Sequence, residues 1–183
     1  MTFNAFLEMI LISMMFASPI IITALGGLFS ERSGIVNIAL EGIMMVGSFT
    51  AATVTVLLES TTPLAPWIGL AAAAVAGLVY SILHAFASIN LKANQTISGT
   101  ALNILSSGLT IYLCQIIFHQ QRTKVFQMSI QRVTVPYLSD IPLLGKLFFT
   151  SIYPTFYVAV VLVVVTWFVV YKTRFGLRMR ACG

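Results

Sequence analysis

Five long apolar runs separated by short polar breaks organise the chain. They cover Ala5 to Leu28, Ile35 to Leu58, Trp67 to Ile89, Gln95 to Phe118 and Thr150 to Tyr171. An α-helix needs roughly 20 mainly apolar residues to cross hydrocarbon, so the pattern predicts about five membrane-spanning helices. The expected fold class is all-α, a polytopic transmembrane helical bundle.

The first break is the most informative. Ser30-Glu31-Arg32-Ser33-Gly34 interrupts two apolar runs, and the second run then carries Asn37 and Glu41. If that run is helical from Ile35, positions i and i+4 share one face. Glu41 would lie about 10 Å along the helix from Gly34, at 1.5 Å per residue. A carboxyl in that place is costly unless it faces a bundle interior or a water-filled cavity. Three roles are open to it: a structural carboxyl paired with backbone N–H groups or Asn103, a substrate contact, or a proton-coupling group.

Other runs carry weaker signals. Pro19 predicts a kink in the first run, and Gly26-Gly27 a loosened end; Glu8 reads as interfacial. In the third run Gly69, Ala73, Gly77, Ser81 and Ala85 recur every four residues, a stripe that lets a neighbouring helix approach closely. His84, near the end of that run, reads as a hydrogen-bonded structural residue. The fourth run is the most polar. Thr96, Gly99, Asn103, Ser107, Thr110 and Cys114 follow helical spacing along one face, which serves either packing or a pathway. Asn103 is the member hardest to explain by packing. The Val-rich fifth run reads as lipid-facing, with Tyr153, Tyr157, Trp167 and Tyr171 as aromatic belts. The connection from His119 to Phe149 has turn signals at Val135-Pro136 and Ile141-Pro142 and room for an interfacial helix.

Composition sharpens this picture. The chain is 58% hydrophobic and 8% charged, against roughly 25% charged in soluble domains. So few charges cannot cover a water-facing surface. The net charge of +5 does not point to nucleic acid: four of the ten basic residues cluster in Lys172 to Arg180 beside an apolar run, as a cytoplasmic flank does. Counting back from that flank puts Ser88 to Asn94 and Ser30 to Gly34 inside, Glu59 to Pro66 and the long fourth connection outside, and the N-terminus outside. Met1 to Asn4 lacks the basic start of a cleavable signal, so the first run reads as a retained helix. Cys114 and Cys182 form neither a disulfide framework nor a metal spacing. No catalytic constellation, metal site or cofactor motif is expected.

The run ALGGLFSERSGIVNIALEGIMMVGSF resembles the permease subunits of bacterial ABC importers for nucleosides and simple sugars. The resemblance continues at Lys92-Ala93-Asn94-Gln95, at Gly99-Thr100-Ala101-Leu102-Asn103, at Leu138 to Gly145, and at Thr173 to Gly183. Ribose-type and branched-chain amino acid permeases share a related polar break. The resemblance implies a multi-pass protein of the bacterial inner membrane that hydrolyses nothing itself. It implies a separate ABC ATPase subunit, a second permease subunit in a homo- or heterodimer, and an external substrate-binding lipoprotein. Asn37, Glu41, Asn103 and Ser107 would line the substrate pathway. Arg174, Arg178 and Arg180 would form an ATPase-coupling flank. Family members are longer, so residues 1–183 are expected to be the N-terminal part of one permease domain. Two other readings are an ion-coupled secondary transporter using Glu41 and a truncated, non-transporting membrane subunit.

Overall fold

Helix α1 (Phe3–Arg32) runs unbroken through Pro19 and through Gly26-Gly27, and ends four residues later than the apolar run. The structure is a computed structural model that describes residues 3–134, 148 and 150–183. The remaining helices are α2 (Leu40–Leu58), α3 (Ala65–Ala85), α4 (Gln95–Phe118), α5 (Pro154–Lys172) and α6 (Arg174–Cys182). A π-helical turn, Phe86–Asn90, extends α3. Five of these helical segments, α3 counted with its π turn, are long and apolar enough to cross a membrane. The sequence motif at Leu138 to Gly145 and both turn signals of the long connection, at Val135-Pro136 and Ile141-Pro142, lie outside the described residues.

The chain divides into two compact units, residues 30–129 and a second comprising 1–29 and 130–182. In the first, α2 packs on α3 and α4. The α2–α3 contact uses the small-residue stripe. A Cβ on Gly69 would lie 2.5 Å from Thr55 Oγ1 and 2.7 Å from the Ala51 carbonyl oxygen, so only glycine permits that approach. Tyr80 of α3 donates to the Leu102 carbonyl of α4 at 2.7 Å. Asn94 caps α4, its Oδ1 accepting from the Thr96 and Ile97 amides at 3.0 and 3.2 Å.

Helix α4 has the inverted surface of a membrane helix. Its small and polar residues Gly99, Ser106, Thr110 and Cys114 are buried, while Ile104 is 75% exposed and Ile97 67%. Water would penalise that arrangement; a bilayer favours it. With its five apolar helices, the protein is a multi-pass membrane protein.

In the second unit, an isolated antiparallel bridge joins Val133 to Ile152 ahead of α5. Arg132 lies over the Tyr153 ring, 5.2 Å from its centroid. At the other end of α5, Thr173 is extended and breaks the helix. Its hydroxyl donates to the Val169 carbonyl at 2.6 Å and accepts from the Gly176 amide at 3.2 Å. Gly176 sits against the Val169 and Val170 carbonyls, where any Cβ would collide. Of the basic flank read from the sequence, Lys172 closes α5 while Arg174, Arg178 and Arg180 lie on a helix of their own. Arg180 packs over Tyr171, and Lys172 over Trp167.

Candidate functional site

The site is built on the interruption between α1 and α2. Helix α1 closes with a Schellman motif: the Ile35 amide donates to Ser30 O at 3.2 Å and the Gly34 amide to Glu31 O at 3.1 Å. Gly34 takes φ 85°, the left-handed conformation this cap requires and glycine adopts without penalty. Residues 35–39 are not helical, and α2 begins at Leu40. This corrects the expected helix start at Ile35. Asn37 and Glu41 do not share a helix face, because the first of them precedes the helix. Asn37 instead folds back on the loop, its Oδ1 accepting from the Ala39 amide at 3.0 Å.

An interruption inside an apolar bundle leaves backbone groups that need partners. Side chains of α3 and α4 supply them. Gln95 Oε1 accepts from the Val36 amide at 2.7 Å. Asn103 Oδ1 accepts from the Gly42 amide at 2.8 Å, and its Nδ2 donates to the Ile38 carbonyl at 3.0 Å. His84 is buried, with Nε2 3.4 Å from Val36 O and Nδ1 3.3 Å from Ser98 Oγ. Residue 39, at the N-cap of α2, is an alanine and makes no side-chain cap; Asn103 caps that helix from across the interface.

The backbones approach closely to allow this. A Cβ on Gly99 would lie 2.9 Å from Ile38 Cβ, and one on Gly42 would lie 2.8 Å from Asn103 Oδ1 and 2.9 Å from Ser106 Oγ. Ser106 is fully buried and donates to Asn103 O at 2.7 Å. Ser107 lies to one side, half-buried, donating to the same carbonyl at 3.2 Å. Thr96 is exposed. The face of α4 that meets α2 is thus Gly99, Asn103, Ser106, Thr110 and Cys114.

Glu41 occupies the first turn of α2 and is exposed. Asn103 spends its amide on the backbone of Ile38 and Gly42, not on this carboxylate. The structure therefore brings Asn103 to the interruption and leaves Glu41 and Ser107 at its margin. Sequence reasoning placed Gly99 on this face but missed Gln95, Gly42 and Ser106. Their signal was weak: a glutamine at the start of an apolar run, a glycine inside another, and a serine one position from the one chosen.

Beyond Ser106, between α2 and α4, lies a groove of about 410 Å³ lined by Met45, Ser48 and Phe49, by Thr110 and Cys114, and by Arg122. It opens toward the end of the unit where the Gln127 amide donates to Glu59 at 2.9 Å. The interruption lies at the opposite end, with the α3–α4 connection.

The family description for the permease component of the branched-chain amino acid transport system matches residues 9–183. The chain belongs to this permease family. Among curated relatives, the guanosine ABC transporter permease protein NupQ of Bacillus subtilis is 42% identical over 172 residues, covering 93% of this chain and 54% of the relative. The nucleoside ABC transporter permease protein NupC of Lactococcus lactis is 39% identical over 183 residues, covering 97% and 56%. The permease chain thus spans about half the length of the curated relatives it matches. No solved structure matches it significantly.

Proposed function

We propose that this chain is part of the permease subunit of an ATP-binding cassette importer for nucleosides, contributing to the translocation pathway in the bacterial inner membrane. Likeness to guanosine and nucleoside permeases along more than nine-tenths of the chain supports the substrate class. The observation that carries a transport role is the α1–α2 interruption, whose backbone is held by Gln95, Asn103 and His84. Held in this way, the non-helical residues 35–39 fix where α2 starts, at the end of the unit that also carries the α3–α4 connection.

In this reading Asn103 is a positioning residue that holds the start of α2. Asn37, Glu41 and Ser107 border the pathway. ATP is hydrolysed on a separate ABC ATPase subunit, a second permease subunit completes the pathway, and an external binding lipoprotein delivers the nucleoside. Helix α6 carries Arg174, Arg178 and Arg180 as the flank that transmits the ATPase stroke. Residues 1–183 form the N-terminal part of one permease domain.

The test is uptake of radiolabelled guanosine, adenosine and glucose by cells without other nucleoside importers, expressing the permease with its ATPase and binding protein. Nucleoside uptake that stops on ATP depletion and survives collapse of proton and sodium gradients is expected. Uptake that follows the gradients instead would establish the Glu41-coupled alternative, and glucose uptake without nucleoside uptake would refute the substrate class.

A further inference from the structure

Both backbone groups of Val36, inside the interruption, are held from other helices. Its amide donates to Gln95 Oε1 at 2.7 Å, and its carbonyl oxygen lies 3.4 Å from His84 Nε2. Gln95 opens α4, and His84 lies in the last turn of α3. On the other side of the imidazole, Nδ1 is 3.3 Å from Ser98 Oγ. Gln95 and Ser98 are three residues apart in the first turn of α4 and share a face. That turn therefore reaches Val36 twice, directly through Gln95 and from Ser98 through the His84 ring.

Ser98 uses its hydroxyl differently from its neighbours. Thr100, Ser106, Ser107 and Thr110 all donate to carbonyls of α4 itself. The Ser98 hydroxyl bonds across to α3 instead. Tyr80, one turn before His84 on the same face of α3, makes the matching contact in the other direction, donating to Leu102 O of α4.

The two partners decide where the ring proton lies. A carbonyl oxygen only accepts, so Nε2 carries the proton. Neither partner is a carboxylate, which a buried imidazolium would need. The contacts are therefore those of a neutral ring, and Nδ1 is a bare acceptor to which Ser98 donates. The other tautomer would turn the lone pairs of Nε2 and Val36 O toward each other, and at 3% exposure His84 has little water to relieve them. The outer torsion of a histidine is broad and roughly two-fold. A contact at Nε2 alone would leave the ring free to rock; Ser98 supplies the second point that fixes it.

We propose that Ser98 is a positioning residue for the interruption, acting through a neutral His84: Ser98 donates to Nδ1 and fixes the ring, and Nε2–H holds the Val36 carbonyl ahead of α2. The functional half of the proposal rests on the reading that the interruption serves transport, and adds the residue that sets its geometry.

The test places the full chain in lipid nanodiscs with isotope-labelled histidine. His84 and His119 are the two histidines, so His119→Gln leaves His84 as the single signal. Nitrogen spectra by solid-state magnetic resonance should show one neutral ring, with Nε2 protonated and Nδ1 a hydrogen-bonded acceptor. Ser98→Ala should move the Nδ1 line to that of an unbonded nitrogen and leave Nε2 protonated, and Ser98→Thr should restore the parent line. In cells expressing the importer, Ser98→Ala should lower the maximal nucleoside uptake rate about fivefold at equal protein in the membrane, as loss of one neutral hydrogen bond does. Ser98→Thr should recover it. A parent ring protonated at Nδ1, an Nδ1 line unmoved by Ser98→Ala, or uptake by Ser98→Ala equal to the parent would each overturn the proposal. Spectra as expected with no nucleoside uptake by the parent importer would defeat the transport reading alone, and the Ser98–His84–Val36 contact would stand as architecture.

Discussion

Asn103 of α4 caps a helix it does not belong to: its amide oxygen accepts from the Gly42 amide, in the first turn of α2, at 2.8 Å. The amide nitrogen donates to Ile38 O at 3.0 Å, so the side chain can face only one way. Replacing it with leucine strands one buried donor and one acceptor, at a cost of about 1–2 kcal/mol. Asn103→Asp keeps the acceptor for Gly42 and sets a second acceptor against Ile38, so its stability should fall between the two. Thermal aggregation midpoints in detergent check the order; an Asn103→Leu protein as stable as the parent would show the clamp to be energetically idle.

Gly42 is the other half of that contact. Gly42→Ala drives a Cβ into Asn103 Oδ1 and Ser106 Oγ, an overpacking that costs about 1–3 kcal/mol. Adding Ser106→Ala removes one of the two obstructions and should restore part of the loss. The coupling is read from a double-mutant cycle of folded yields. Strictly additive effects would mean that α2 and α4 separate rather than resist.

Gly34 is constrained by its backbone rather than by its neighbours. At φ 85°, Gly34→Ala should cost about 1–2 kcal/mol, and Gly34→Asn less, since asparagine tolerates the left-handed region. The measurement is the same melting series. Equal stability of the alanine and glycine proteins would mean that the end of α1 has another, unstrained termination.

Glu41→Gln retains shape and removes charge. Because Glu41 is exposed and outside the Asn103 clamp, membrane expression should stay within about twofold of the parent, as for surface changes worth under 0.5 kcal/mol. A pathway-lining Glu41 changes apparent affinity unequally among nucleosides with different hydroxyl patterns. Uptake kinetics for guanosine, deoxyguanosine and inosine decide it, and an equal loss for all three would remove Glu41 from substrate contact.

Orientation is open to labelling. Ser60 follows α2 and Ala93 precedes α4, both are exposed, and they lie at opposite ends of their unit. In a background without native cysteines, Ser60→Cys should react with an impermeant maleimide on intact cells and Ala93→Cys only after lysis. The reverse pattern would invert the topology derived from Arg32, Lys92 and the Lys172–Arg180 cluster.

Length, polarity and spacing determined much of this protein without a partner in view. Spans are legible because hydrocarbon thickness sets helix length and excludes charge, and α4 begins and ends at the residues its apolar run predicts. The Gly69–Gly77 stripe was legible because close helix approach depends on side-chain size alone. Tertiary structure decided what local pattern leaves degenerate. Residues 35–39 read as helical because their apolar side chains suit a helix, but Gly34 ends α1 and Asn103, Gln95 and His84 satisfy the backbone that a helix would otherwise have paired. Ser106 and Ser107 fit the α4 stripe about equally well by period. Only the position of α2 settles that Ser106 is buried and Ser107 lies beside the contact, because a helical period fixes the width of a face and a neighbouring helix fixes its centre.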